Sequence, residues 1–248
     1  MHRLHRSRRP VPHFYTSHLN PISPYGGRLL KKNLFLLLAL MLSSSMLFAQ
    51  AKHSGRTTTT KEKSAIHIPS QDEPQGLKKI YSNLGKSKTD RFLDTNGWTI
   101  AGPNAGLGLT QYIGMPFTPK ANAHVSQTQL AVEWVTGDNQ VNISLYDDAG
   151  GIPGTLLAGP ATVTNLGVFG TCCQLAVANF PSTAVTAGSQ YWMVVDEPSS
   201  GAGSNTWAAF TFVPTLFPFA FFNPANGGWL PGDGASAEAA GAVYGTIP

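Results

Sequence analysis

Beyond residue 80 polar and apolar residues alternate along the chain. Ser126, Thr128, Leu130, Val132 and Trp134 occupy one set of positions; Gln127, Gln129, Ala131 and Glu133 occupy the other. A two-residue period puts the two sets on opposite faces of a strand, one buried and one wet. Gly137-Asp138-Asn139 then turns the chain. Val141, Ile143 and Leu145 alternate with Asn142, Ser144 and Tyr146, which predicts a second strand and a hairpin joining the two. Asp147 to Gly154 is rich in Asp, Gly and Pro and predicts another turn. Further strands are expected over residues 155–164, 172–178, 191–195, 206–212, 217–222 and 240–246. The run from Tyr191 to Val195 is apolar on both faces, so it is expected at the centre of a sheet. No window holds a helical period. Many short strands at this spacing predict an all-β fold, an antiparallel β-sandwich of jelly-roll type over residues 80–248.

The residues ahead of that body have a different pattern. Lys31-Lys32 precede an apolar run from Leu34 to Phe48, interrupted by Ser43, Ser44 and Ser45, and Ala49-Gln50-Ala51 follows. This is the order of a secretory signal, with the apolar region at 34–48 and cleavage after Ala51. Its uninterrupted run falls short of the roughly 20 residues of a membrane span, so membrane attachment would come only through an uncleaved signal segment. Residues 52–79 carry four consecutive threonines and scattered lysines, with too little apolar content to offset ordering, and are expected to be a disordered basic linker. The expected location is the periplasm or the cell exterior.

Charge sharpens this division. Residues 1–51 hold seven Lys and Arg and no acid. From Phe92 onward the only base is Lys120, against nine acids, which leaves that stretch at net −8. A stretch without arginine from Phe92 onward lacks the cationic clusters that bind a phosphate backbone, so nucleic acid is excluded as a partner.

Several segments in order carry a resemblance. They are Gln111-Tyr112-Ile113-Gly114-Met115-Pro116-Phe117-Thr118-Pro119, Asp148-Ala149-Gly150-Gly151-Ile152-Pro153-Gly154 and Phe169-Gly170-Thr171-Cys172-Cys173. Gly188-Ser189-Gln190-Tyr191-Trp192, Thr206-Trp207-Ala208-Ala209 and Ala242-Val243-Tyr244-Gly245-Thr246 complete the set. Together they resemble the choice-of-anchor R domain of bacterial secreted and surface proteins, over about residues 80–246. The resemblance implies an extracellular β-sandwich and supplies no catalytic residue. The apolar helix and basic tail of a C-terminal sorting signal do not follow Gly245-Thr246, so it implies no C-terminal anchor either.

Candidate chemistry is sparse. Cys172-Cys173 are the only cysteines, and export favours their oxidation. A vicinal disulfide, two free thiols and an intermolecular link are the alternatives, the first expected as a clip on a turn. In a regular strand Cys173 would join Leu175 and Val177 in the core. His124 is the body's only histidine and is expected at the surface, too isolated for a triad or a zinc site. Glycoside hydrolysis needs two carboxylates facing across a sugar. Glu133, Asp147, Asp148, Asp196, Glu197 and Glu238 are available but are expected to be solvated acids. Calcium would use Asp147 and Asp148, although no EF-hand spacing is present. Trp134 and Trp192 lie within strands and read as core. Trp229, in Asn226-Gly227-Gly228-Trp229, and Trp98, in Asn96-Gly97-Trp98, are the rings expected to be exposed and to stack on sugar. The function expected is a secreted, non-catalytic module that contacts a glycan or other cell-surface component. A carboxylate-dependent glycan hydrolase and a structural matrix component are the alternatives.

Overall fold

The computed structural model describes residues 57–59, 73–86, 91–234 and 236–248. The expected signal segment and most of the expected linker lie outside these residues.

Among the described residues sixteen strands follow in chain order: β1 Thr57–Thr59, β2 Lys78–Ser82, β3 Leu93–Ala101, β4 Tyr112–Phe117, β5 Ala123–Leu130, β6 Val132–Thr136, β7 Gln140–Asp148, β8 Pro153–Thr164, β9 Gly167–Val168, β10 Ala176–Val185, β11 Tyr191–Asp196, β12 Trp207–Leu216, β13 Ala220–Asn223, β14 Gly228–Pro231, β15 Ala237–Ala239 and β16 Gly241–Thr246. One 3-10 turn, Pro224–Asn226, joins β13 to β14. The fold is all-β, with antiparallel sheets packed together as a sandwich. Sheet I runs β1-β3-β12-β6-β9 with β15 also on β12, sheet II runs β10-β5-β16-β2, and sheet III runs β14-β13-β4-β11-β7-β8. The short β6–β9 pair is parallel. Thr57–Thr59, within the segment expected to be a disordered linker, instead pair with Trp98, Gly97 and Asn96 of β3.

Sheets I and II meet at a three-way junction. β6 and β15 run one after the other along β12, then leave it as the paired strands β5 and β16. At the branch Ala131 N–H donates to the Ala240 carbonyl (2.9 Å), Ala240 N–H to that of Thr211 (2.8 Å), and Thr211 N–H to that of Ala131 (2.8 Å). The cycle satisfies three buried N–H and three buried C=O groups where the ladders part. The Thr211 hydroxyl adds a bond of 2.8 Å to the Ala131 carbonyl. The strand expected from Ser126 to Trp134 is therefore two strands in two sheets. The expected hairpin across residues 137–139 is corrected too. β6 pairs with β12 and β9 in sheet I, whereas β7 pairs with β11 and β8 in sheet III. The turn crosses between sheets, and the true hairpin is β7–β8.

One apolar core lies between sheet III and the other two. Ile113, Met115 and Phe117 of β4, Val141, Ile143 and Leu145 of β7, and Tyr191, Met193 and Val195 of β11 contribute from sheet III. Ile100, Phe210 and Phe212 contribute from sheet I, and Val125, Leu130, Phe180 and Val243 from sheet II. As its two-faced apolar pattern predicted, β11 is central, between β4 and β7.

Candidate ligand-binding face

The alternation that buries those side chains turns their neighbours onto the outer face of sheet III. Strand register aligns these neighbours in rows. Trp229 lies opposite Phe222, Phe222 opposite Tyr112, Asp196 opposite Asn142, and Asn142 opposite Thr162. β11 and β4 pair Val195 with Ile113, so the next step places Asp196 beside Tyr112. One row thus crosses six strands: Trp229, Phe222, Tyr112, Asp196, Asn142, Thr162. The Tyr112 and Phe222 rings stack at 5.2 Å, and Phe222 meets Trp229 edge-on at 5.6 Å. The Thr162 hydroxyl donates to Asn142 Oδ1 (2.9 Å), and the Asn142 side chain bonds Asp196. Tyr112, Phe222, Trp229 and Asp196 are half-buried, so their edges and tips meet solvent.

The next row is small: Ala220, Gly114, Val194 and Ser144. A Cβ on Gly114 would sit 3.1 Å from Trp192 Cε3 and 3.2 Å from Pro153 Cγ, so glycine lets that indole lie close to the sheet. Trp192 is wholly buried there, packed with Val194, Ala220 and the half-buried Tyr146, Ile152 and Trp229. Its N–H donates to Asp148 Oδ1 at 2.7 Å. Trp192 was expected in the core; it is buried, but on the opposite face of β11.

Asp196 is the charged member of the row. Burial pushes its carboxyl up to about 6, against the Asn142 bond that favours the anion. The hydroxyls of Tyr112 and Tyr146 are raised as well, by burial first and then by the negative charge of Asp196. Glu197, the next residue, is 3% exposed, and neither of its carboxyl oxygens has a hydrogen-bond partner. Burial, then the charges of Asp196 and Asp138, push it up to about 10, so it is neutral at neutral pH. Past Tyr112 and Phe222, where β4 begins and β13 ends, a cleft of about 290 Å³ opens between Pro103, Gly108, Leu109, Thr110 and Asn223.

No family model, curated protein or solved structure matches the chain.

The other sequence candidates fall elsewhere. Trp98 is corrected: it is 6% exposed, stacked on Phe219 at 4.0 Å, and donates its N–H to the Ala237 carbonyl. It closes the core and cannot meet a ligand. Asp148 is exposed; partial burial is the largest single influence on its carboxyl and raises its pKa, but the N–H groups it accepts from Trp192, Gln190, Gly151 and Gly150 together outweigh it and lower the pKa. Asp147 accepts from the Thr155 N–H. Both calcium candidates are thus turned toward N–H donors, Asp147 within the β7–β8 hairpin and Asp148 within that hairpin and at the start of β11. Among the described residues, no three His, Cys, Asp or Glu side chains converge as a metal centre. His124 is exposed, as expected, and lies on β5.

Cys172 and Cys173 form a vicinal disulfide. They precede β10 rather than lying in a strand, and Cys173 joins a second apolar cluster with Phe92, Ala131, Leu175, Val213 and Ala240. Cys173 and Leu175 are buried together as expected, but the phase changes on entering β10, where Ala176 and Ala178 face the main core and Val177 is only half-buried. Asp94 Oδ2 accepts the Cys172 N–H at 3.2 Å, and Glu133 Oε2 accepts the Gly170 N–H at 3.1 Å. Glu133 is fully buried and its Oε1 is unpartnered; burial pushes the group up to about 9. Glu238 is also buried, holding the Tyr81 and Thr215 hydroxyls at 2.6 and 3.1 Å. Three of the six acids expected in solvent, Glu133, Glu197 and Glu238, are therefore interior groups. Sequence reasoning missed Tyr112, Phe222, Tyr146 and Asn142 as site residues. Their signal was the strand period itself: each alternates with core residues on its own strand, so all point outward once the strands are paired.

Proposed function

We propose that this chain is an exported, non-catalytic β-sandwich module that contacts carbohydrate through the outer face of sheet III. The observation that carries this reading is the row Trp229, Phe222, Tyr112, Asp196, Asn142. Three aromatic rings in line offer a ridge of apolar ring edges to the C–H groups of a saccharide. At the end of the line a carboxylate and an amide are placed to take hydroxyls, and a few convergent polar groups on an apolar platform are what fix a ligand's orientation. Residues 34–51 support export, and the resemblance to the choice-of-anchor R domain supports an extracellular setting.

Hydrolysis fits this face poorly. Asp196 and Glu197 have well-separated acidities, as an acid–base pair requires, but Glu197 is buried and a general acid must touch the substrate. The test is a glycan array probed with the mature chain and with Trp229→Ala. Specific binding by the native chain that Trp229→Ala loses is the expected result. A silent array, or equal binding by both, overturns the reading, and turnover of any bound glycan overturns its non-catalytic part.

A further inference from the structure

The charge on this face narrows the ligand, and the argument rests on the carbohydrate reading. Asp196 stands between Tyr112 on β4 and Asn142 on β7. Tyr146 lies two outward rows along β7, opposite Trp192 and beyond the small residues Val194 and Ser144; its hydroxyl is raised by burial and then by the Asp196 charge. None of the residues in these rows is basic. Glu197, the next residue, is buried and neutral at neutral pH, so Asp196 is the one charge of the row. The partner that favours the Asp196 anion is the single amide of Asn142. A half-buried carboxylate with one neutral donor, beside the Tyr112 ring, has unused capacity for a cation. Aromatic faces attract cations through their quadrupole, and a charge-assisted bond to a carboxylate is about twice as strong as a neutral one. An anionic sugar would meet only repulsion here.

We propose that the saccharide this face prefers carries a protonated amine, which Asp196 receives beside Tyr112. The module is then a reader of amino sugars rather than of neutral or uronic-acid polymers. Binding a cation also returns to Asp196 part of what burial costs its charged form.

Isothermal titration at about pH 7 decides it, using a glucosamine tetramer, its fully N-acetylated counterpart and a glucuronate-containing tetramer. The expected result is that the free-amine tetramer binds on the order of tenfold more tightly than the acetylated one, with the acidic tetramer weakest. Asp196→Asn should erase the difference between the first two, while Trp229→Ala should weaken both alike. Equal binding of amine and acetylated tetramers, or preference for the acidic one, overturns the amine assignment and leaves the carbohydrate reading standing. No binding of any tetramer overturns both. Should Asp196→Asn fail to fold, the native chain's ranking of the three probes still decides, because only that ranking reads the sign of the charge.

Discussion

Glu197→Gln should stabilise the protein, and more so the higher the pH. Glutamine copies the shape of a protonated glutamate and cannot ionise. In the fold Glu197 is pushed from an ordinary 4.5 to about 10, by burial before all else and then by Asp196 and Asp138. An acid whose folded pKa is raised holds its proton in the native state after the unfolded chain has released it. The sign follows: the cost is absent below about pH 4.5, grows as pH rises, and levels off near pH 10. Each pH unit in that window costs about 1.4 kcal/mol, which is about 3 kcal/mol at neutral pH. With 3% exposure and both oxygens unpartnered, solvent screening removes little of it. Urea unfolding of the native chain and the variant at about pH 5 and pH 8 measures the effect. The variant's advantage should widen by several kcal/mol between the two values. An advantage independent of pH would refute the reasoning, because it would mean that Glu197 ionises in the fold as easily as outside it.

Other consequences are simpler. Glu133→Gln should show the same sign over a window ending near pH 9 rather than 10, again by urea unfolding, since Glu133 is raised mainly by burial and keeps only the Gly170 bond. Thr211→Val removes the hydroxyl bond to Ala131 but leaves the backbone cycle, so a loss of about 1 kcal/mol is expected from chemical denaturation. Gly114→Ala pushes a Cβ against Trp192 and Pro153, and an overpacking loss of roughly 1–3 kcal/mol should come with altered Trp192 fluorescence. Intact-mass analysis should show Cys172 and Cys173 resisting alkylation until a reductant is added.

Much of the fold was legible because period-two alternation is a local signal. β7, β11 and β16 fall close to where alternation and turn residues predict them. What failed depended on distant partners. The break at Ala131 is invisible in a pattern that continues through it; the cause is the junction with Thr211 and Ala240, some 80 and 109 positions away. The wrong hairpin has the same origin, since Gly137-Asp138-Asn139 suits a turn within a sheet or between sheets equally well. Trp98 was misplaced because Asn96-Gly97 reads as a turn, whereas Gly97 lies inside β3, where a Cβ would press against Ala209 and Phe210 at about 3.0 Å. The site was half legible. Trp229 was named from its turn, but the row it belongs to exists only once β14, β13, β4, β11 and β7 are in register.

The buried acids bear on that row. Asp196 and Glu197 are adjacent, and two neighbouring carboxyls do not readily ionise together at a site poor in compensating charge. Deep burial with no donor keeps the proton on Glu197. Shallower burial and the Asn142 bond let Asp196 ionise above about 6. The separation lets the outward group carry a negative charge at neutral pH without a second one behind it. Replacing Glu197 by Gln therefore leaves the charge of Asp196 in place, and this variant should still rank the amine-bearing tetramer first. A preference lost together with Glu197 would show that the charge read by the ligand belongs to the interior acid instead.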